Sequence, residues 1–497
     1  MNTWIVRKSF FWLLFFVVCG AFVMRAYVFL DPDFGWHLRS GEIEVNDGVY
    51  RGDPFSYTMP SFLFVDHEWV TNMFLFEANH ALGYVFLSVF YTILVFAVLY
   101  LASSWKDEKY YLPLTILSLA AFLPFFGIRP QVQSWLYLSV VLRLLLDERL
   151  WRRWRFVFPF IALLWANTHG SFPLIIVVTF VILASRQFRR RKFVWTDFAV
   201  LALSAAATLV NPYGIRLWGE VLMQVTDTSV RWTIDEWMPI IARVDFGVMV
   251  YVSFSVAFVI RFWKKYSLEE KLLYLFFLTQ GVMSARNFPL YVVVSLPMMI
   301  KALDSFYSEL GSNKSKLARF KVVYRGFLLL SVIVFFISWF FAMDSAVLLS
   351  ENRFYPKEAV AYLDENEHEG RIFSNYGWGG YLIWKLPRER VFIDGRMATW
   401  KWKAGIAGES DYVMREYTDL LLGNASVDSV FEKYNVGVVL WPNRQPKGFL
   451  GDYGLNTRLS SFLGSDEKEE YDFIGVINES GWKLVWEDEV AQIWERP

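Results

Sequence analysis

Two aspartates two residues apart, Asp31 and Asp33, stand in "FLDPDFGWHLRSGE" directly after an apolar run. On an extended segment that spacing aims both carboxylates to one side, where they can divide the work of general base and cation ligand. Glu68 follows His67 in "DHEWVTN" and adds a third acid to the same loop. His37 and His67 could bind substrate, or join Asp33 around a metal ion. The competing use of an Asp at such a place is helix capping, because its side chain accepts the backbone N–H groups left open in a first turn. No His-Glu-x-x-His zinc pattern occurs, and "SNYGWGGYLIW" lacks the strand, Gly-rich turn and helix of a nucleotide site.

A second set of polar residues interrupts apolar sequence farther on: Arg129 in "GIRPQ", Asn167 and His169 in "WANTHG", and Arg286 in "SARNF". A guanidinium grips phosphate through two parallel hydrogen bonds, so Arg129 and Arg286 are candidates to hold a phosphorylated substrate. Asn167 and His169 could hydrogen-bond substrate, or simply satisfy the backbone of their own turn. "FIDGR", with Asp394 and Arg396, reads as a strand end with a local ion pair rather than a second site.

The elements that must carry these residues belong to a membrane protein. A chain of 497 residues that is 55% hydrophobic is too apolar for an ordinary soluble protein of its length. Its 49 basic and 49 acidic residues cancel, so no global field argues for nucleic acid. Cys19 is the one cysteine, which excludes an intrachain disulfide. Eleven apolar segments read as spans, near 9–30, 84–104, 110–128, 131–147, 156–167, 171–185, 196–210, 246–262, 270–285, 287–303 and 325–343. The first has no small-residue cleavage site and reads as a span rather than a signal peptide. With a cytoplasmic N-terminus, the inner segments collect 23 Lys and Arg and the outer ones seven, all Arg: Arg39, Arg51, Arg129, Arg216, Arg231, Arg243 and Arg286. That bias places the protein in the cell membrane as a multi-pass chain with its C-terminal region outside.

Residues 344–497 change to the pattern of a soluble α/β domain. Helices are expected in "YPKEAVAYLDEN" and "SVDSVFEKYN", strands in "GRIFS", "GGYLIWKL", "RVFIDG" and "VGVVLWP", and a closing hairpin in "WKLVWEDEVAQIWER". The domains expected are thus 1–343, a membrane domain that includes the outer loop 31–83 with two interfacial helices, and 344–497. All the polar motifs fall on the outer side, at span ends rather than in mid-span, as in a site reached from outside.

This architecture, with "DFGWHLRSGE", "DPFSYT", "HEWV", "WANTHG", "NPYG" and "FIDGR", resembles the GT-C superfamily of integral-membrane glycosyltransferases over nearly the whole chain. The resemblance implies a fold of about eleven transmembrane helices with a C-terminal outer-face domain. It implies transfer of a sugar, hexosyl or pentosyl, from a polyprenyl-phosphate carrier to a glycan, lipid or protein acceptor. Asp33 matches the loop acid of that superfamily, with Asp31 beside it and Glu68 as a second acid, and a divalent metal is used by some members. The Trp-Trp-Asp-type signature of oligosaccharyltransferases is absent, which favours transfer of one sugar. Two rivals come from other classes: a transporter, for which only Arg25 and Arg143 approach mid-span positions, and a non-catalytic scaffold for envelope assembly.

Overall fold

Helices occupy all eleven apolar segments. A computed structural model of the protein describes residues 3–103, 111–191, 193–227, 234–243, 245–310, 313–443 and 471–497. Arg231, Lys192 and the inner segment 105–109 lie outside the described residues, as does the side chain of Arg243. The chain divides into two compact units, one formed by residues 1–27 and 84–343, the other by residues 28–83 and 344–497. The division differs from the sequence expectation, which assigned the loop 31–83 to the membrane domain. The reason is packing, for the loop's buried side chains meet the C-terminal segment, as described below.

The first unit is helical. Three helices are long and apolar enough to cross a membrane by length and composition, Trp69–Ala102, Ala285–Leu310 and Lys314–Leu348, and this unit holds residues 84–102 of the first and 314–343 of the last. The first of these breaks at Gly83, whose φ of 79° belongs to the left-handed region that glycine enters without a Cβ penalty. Shorter apolar helices include Leu112–Phe125, Gln131–Leu146, Trp195–Ala207 and Phe246–Arg261. The stretch around "WANTHG" forms two helices, Phe158–Ala166 and Pro173–Arg190, joined by the turn that carries Asn167 and His169. At about 1.5 Å per residue the nine-residue helix is far too short to cross a bilayer.

The second unit is built on a mixed sheet, β1 (Arg371–Ser374), β2 (Val436–Pro442), β3 (Lys483–Glu487) and β4 (Ala491–Glu495), in the order β1-β2-β4-β3. β1 runs parallel to β2, and β4 lies antiparallel to both β2 and β3, so the closing hairpin is present. Phe373 on β1 centres the core, its ring 4.9 to 5.9 Å from those of Phe392, Tyr417, Phe431, Trp441 and Phe473. The expected helices are Lys357–Glu365 and Val427–Tyr434; Val413–Leu421 and Phe473–Glu479 are additional.

Two expected strands are absent. "GGYLIWK" is the helix Gly379–Lys385, whose first five residues are all buried. A continuous apolar run fits a buried helix as well as a buried strand, and the two leading glycines here serve close approach, since a Cβ on Gly379 or Gly380 would stand 2.3 Å from the carbonyl oxygen of Ile393 or Pro32. The backbone of Gly380 lies so close to the helix Phe34–Asn46 that a Cβ on Gly35 would stand 2.2 Å from its carbonyl oxygen. "RVFIDG" is irregular and joins no sheet, and Val391 forms a single bridge with Ser56 of the loop. Its carbonyls serve the loop instead: Val391 accepts from Tyr57 N and Phe392 from Thr58 Oγ1.

Candidate functional site

Asp33 occupies the N-cap position of the helix Phe34–Asn46, yet its side chain makes no capping hydrogen bond. Its Oδ1 instead accepts the indole N–H of Trp36 at 2.9 Å. Asp31 is buried, and its Oδ1 accepts the backbone N–H of Asp33 at 2.9 Å, so this carboxylate shapes the turn that presents its neighbour. Asp31 thus serves the backbone of the turn, and Asp33 is a half-buried carboxylate. Against Asp33 lies the "FIDGR" segment, where a Cβ on Gly395 would meet Asp33 Oδ1 at 2.0 Å.

Behind Asp33 runs a buried polar chain. Asn72 donates from Nδ2 to Asp66 at 2.7 Å and turns its Oδ1 to His37 Nδ1, also at 2.7 Å. A carbonyl oxygen only accepts, so His37 carries its proton on Nδ1 and directs Nε2 to the Glu68 carboxylate, 3.8 Å away. The other oxygen of Glu68 faces His67 Nε2 at 3.6 Å. Asp66 also accepts the backbone N–H of Glu68 at 2.8 Å, which fixes the entry to the helix that starts at Trp69.

Burial raises Asp66 to a pKa of about 6, against its hydrogen bonds and the nearby Arg396. Burial first, and repulsion from Asp66 second, raise Glu44 to about 10, so Glu44 keeps its proton at neutral pH. Arg396 is buried beside them. It donates to both oxygens of Asp394, at 2.8 and 2.7 Å, and reaches Asp53 of the loop at 3.0 Å. The rings of Phe55, Phe64 and Trp400 lie 4.7 to 5.3 Å from its guanidinium carbon. Burial opposes its charge, and the carboxylates of Asp394 and Asp53 more than offset that, keeping it charged.

Sequence reasoning read the Asp394–Arg396 ion pair correctly and missed its reach to Asp53. It quoted "DHEWVTN" but passed over Asp66 and Asn72. Their six-residue separation, from loop to second helical turn, was the signal in that motif.

The remaining candidates lie in the first unit. Arg129 is ion-paired with Glu236, and Arg286 lies over the ring of Trp237 at 5.5 Å, so "IRPQ", "IDEW" and "ARNFP" meet at one corner. Asn167 Nδ2 donates to the carbonyls of Leu163 and Val210, at 2.7 and 3.0 Å, which joins "WANTHG" to "NPYG". His169 Nδ1 lies 2.8 Å from Ser134 Oγ and 2.9 Å from Ser171 Oγ. Both residues tie their turn to a neighbouring segment, Asn167 to Val210 and His169 to Ser134. Among the described residues no three His, Cys, Asp or Glu side chains converge on a point where a metal could be held, so the donor set does not fit a cation cage made by protein alone.

The fold is similar to that of solved membrane oligosaccharyltransferases. Archaeal oligosaccharyltransferase AglB from Archaeoglobus fulgidus, solved with an inhibitory peptide and a dolichol-phosphate, matches with a TM-score of 0.58 and 11% identity over 87% of this chain and 70% of its own. The apo oligosaccharyltransferase of the same organism gives 0.55 at 11% identity, over 86% and 69%. ArnT from Cupriavidus metallidurans, bound to undecaprenyl phosphate, aligns over 98% of both chains at 12% identity with a TM-score of 0.49. No family model matches the sequence, and no curated protein matches it.

Proposed function

We propose that the protein is a membrane glycosyltransferase that moves one sugar from a polyprenyl-phosphate donor to a hydroxyl acceptor at the outer face, with Asp33 as general base. The observation that carries this reading is the Asp33 carboxylate, which stands at a helix start without capping it and is oriented by Trp36. The shared fold with an oligosaccharyltransferase solved with a dolichol-phosphate supports the donor class. The apolar helices and the charge bias of the segments between them support a multi-pass chain with an outer C-terminal domain.

In this reading the acceptor O–H gives its proton to Asp33 as its oxygen bonds to the anomeric carbon. The bond from that carbon to the phosphate oxygen breaks, and polyprenyl phosphate leaves. Asp31 and Trp36 hold the carboxylate in place. Glu68, between His37 and His67, is the second acid, suited to bind a sugar hydroxyl. Arg286 and Arg129 bind the donor phosphate, Arg129 by exchanging its contact with Glu236, and Asn167 and His169 shape the wall they stand in.

Cross-linking with a photoreactive polyprenyl-phosphate sugar, followed by peptide mapping, tests the assignment. Label on the peptides holding Asp33 or Arg286 is expected, and label confined elsewhere overturns it. No step is routed through a metal, and chelation is a separate assay. Turnover that falls in EDTA and returns with Mg or Mn would assign Asp31 and Asp33 a ligand role shared with the donor phosphate.

A further inference from the structure

A cavity of about 830 Å³ opens in the first unit, where the helices Trp69–Ala102, Gln131–Leu146 and Phe288–Leu310 meet near the segments richest in Lys and Arg. This is the end of the helical unit opposite, in the sequence topology, to the motifs of the proposed site. Its volume is in the range of small-molecule sites, about 300–1,000 Å³.

The lining is chemically mixed. Leu101, Leu142, Val293 and Ile300 give it apolar surface, and Arg143, Arg149, Arg152 and Lys301 bring four positive charges. Four carboxylates also line it, and each is already engaged. Asp147 accepts two backbone N–H groups at 2.8 and 3.3 Å, and Glu148 pairs with Arg190 and Arg152. Glu270 takes Lys301 at 2.7 Å, and Asp304 takes the hydroxyl of Tyr111.

Arg143 and Arg149 are different. Among the described residues their side chains make no hydrogen bond and no ion pair within 4 Å, the Asp147 carboxylate acting on both only through its field, and Arg143 is half-buried as the one charged residue of its helix. A guanidinium offers five donors and is never neutral, so two of them facing one cavity call for an anion with several acceptor oxygens. The apolar residues of the same lining call for hydrocarbon attached to that anion.

We infer that this cavity binds the phosphate headgroup of an anionic phospholipid, with Arg143 and Arg149 on the phosphate oxygens and the first methylenes of the chains on the apolar wall. Basic pockets between membrane helices recognise acidic headgroups by this chemistry. The inference is independent of the glycosyltransferase reading, since no residue of that site takes part.

The test is thermal unfolding of the full chain in phosphatidylcholine micelles, titrated with phosphatidylglycerol and, in a separate arm, with inorganic phosphate. Phosphatidylglycerol should raise the midpoint saturably. The Arg143→Gln/Arg149→Gln variant should need at least about tenfold more lipid for half the shift. Arg152→Gln should respond as wild type, because Arg152 is committed to Glu148. If the double variant does not fold, Arg149→Gln alone, at an exposed position, is held to the same criterion. An equal response of wild type and variant overturns the site, and an equal shift from inorganic phosphate overturns its assignment to a lipid.

Discussion

Asp33→Asn keeps the size and hydrogen bonding of the side chain while removing its charge. With no capping bond to lose, folding should be untouched and the thermal midpoint unchanged, while turnover falls by roughly 10²–10⁴ as for loss of a general base. A fully active, normally folded Asp33→Asn protein would rule out the proposed chemistry. The acid pair behind it predicts a pH response. Glu44 and Asp66 bind protons more tightly folded than unfolded, so their contribution to stability is greatest near pH 4 and is lost as pH rises toward their folded values of about 10 and about 6. Glu44→Gln should therefore gain on wild type in thermal midpoint between pH 5 and 8, with the two converging near pH 4; parallel curves would show that Glu44 is not the proton carrier. Arg396→Met strands the buried carboxylates of Asp53 and Asp394, and a loss of about 3–5 kcal/mol in denaturant unfolding is expected.

The helix Phe34–Asn46 reaches its place because two glycines permit close approach, and their surroundings predict opposite outcomes. A Cβ on Gly35 meets the backbone carbonyl of Gly380, which cannot move without displacing the helix Gly379–Lys385, so Gly35→Ala should lower the midpoint markedly. A Cβ on Gly395 meets only the side-chain oxygen of Asp33, which can rotate away. Gly395→Ala should fold nearly as wild type and turn over poorly; normal turnover would detach "FIDGR" from the site. Element identity was legible wherever period and boundary residues agreed. Val427–Tyr434 opens on Ser426, whose hydroxyl caps it, and closes at Asn435 in the left-handed region. It failed at "GGYLIWKL", where burial on every face erased the period that separates helix from strand.

At the scale of the whole molecule, reporter fusions after residues 150 and 190 should read cytoplasmic, and those after 60 and 420 external. A cytoplasmic C-terminal fusion would overturn both the orientation and the outer-face site. By itself the sequence determined the apolar helical segments, their charge asymmetry, the strands of the hairpin and the first-loop acids, because period, hydropathy and local charge are properties of neighbours along the chain. Only the tertiary structure decided that residues 28–83 fold with 344–497, that Asp33 faces Gly395, that Arg396 reaches Asp53, and that Asn72 sets the tautomer of His37. Those pairings join residues up to hundreds of positions apart. They are fixed by which buried charges find partners when the backbone closes, and no local pattern in the sequence encodes that.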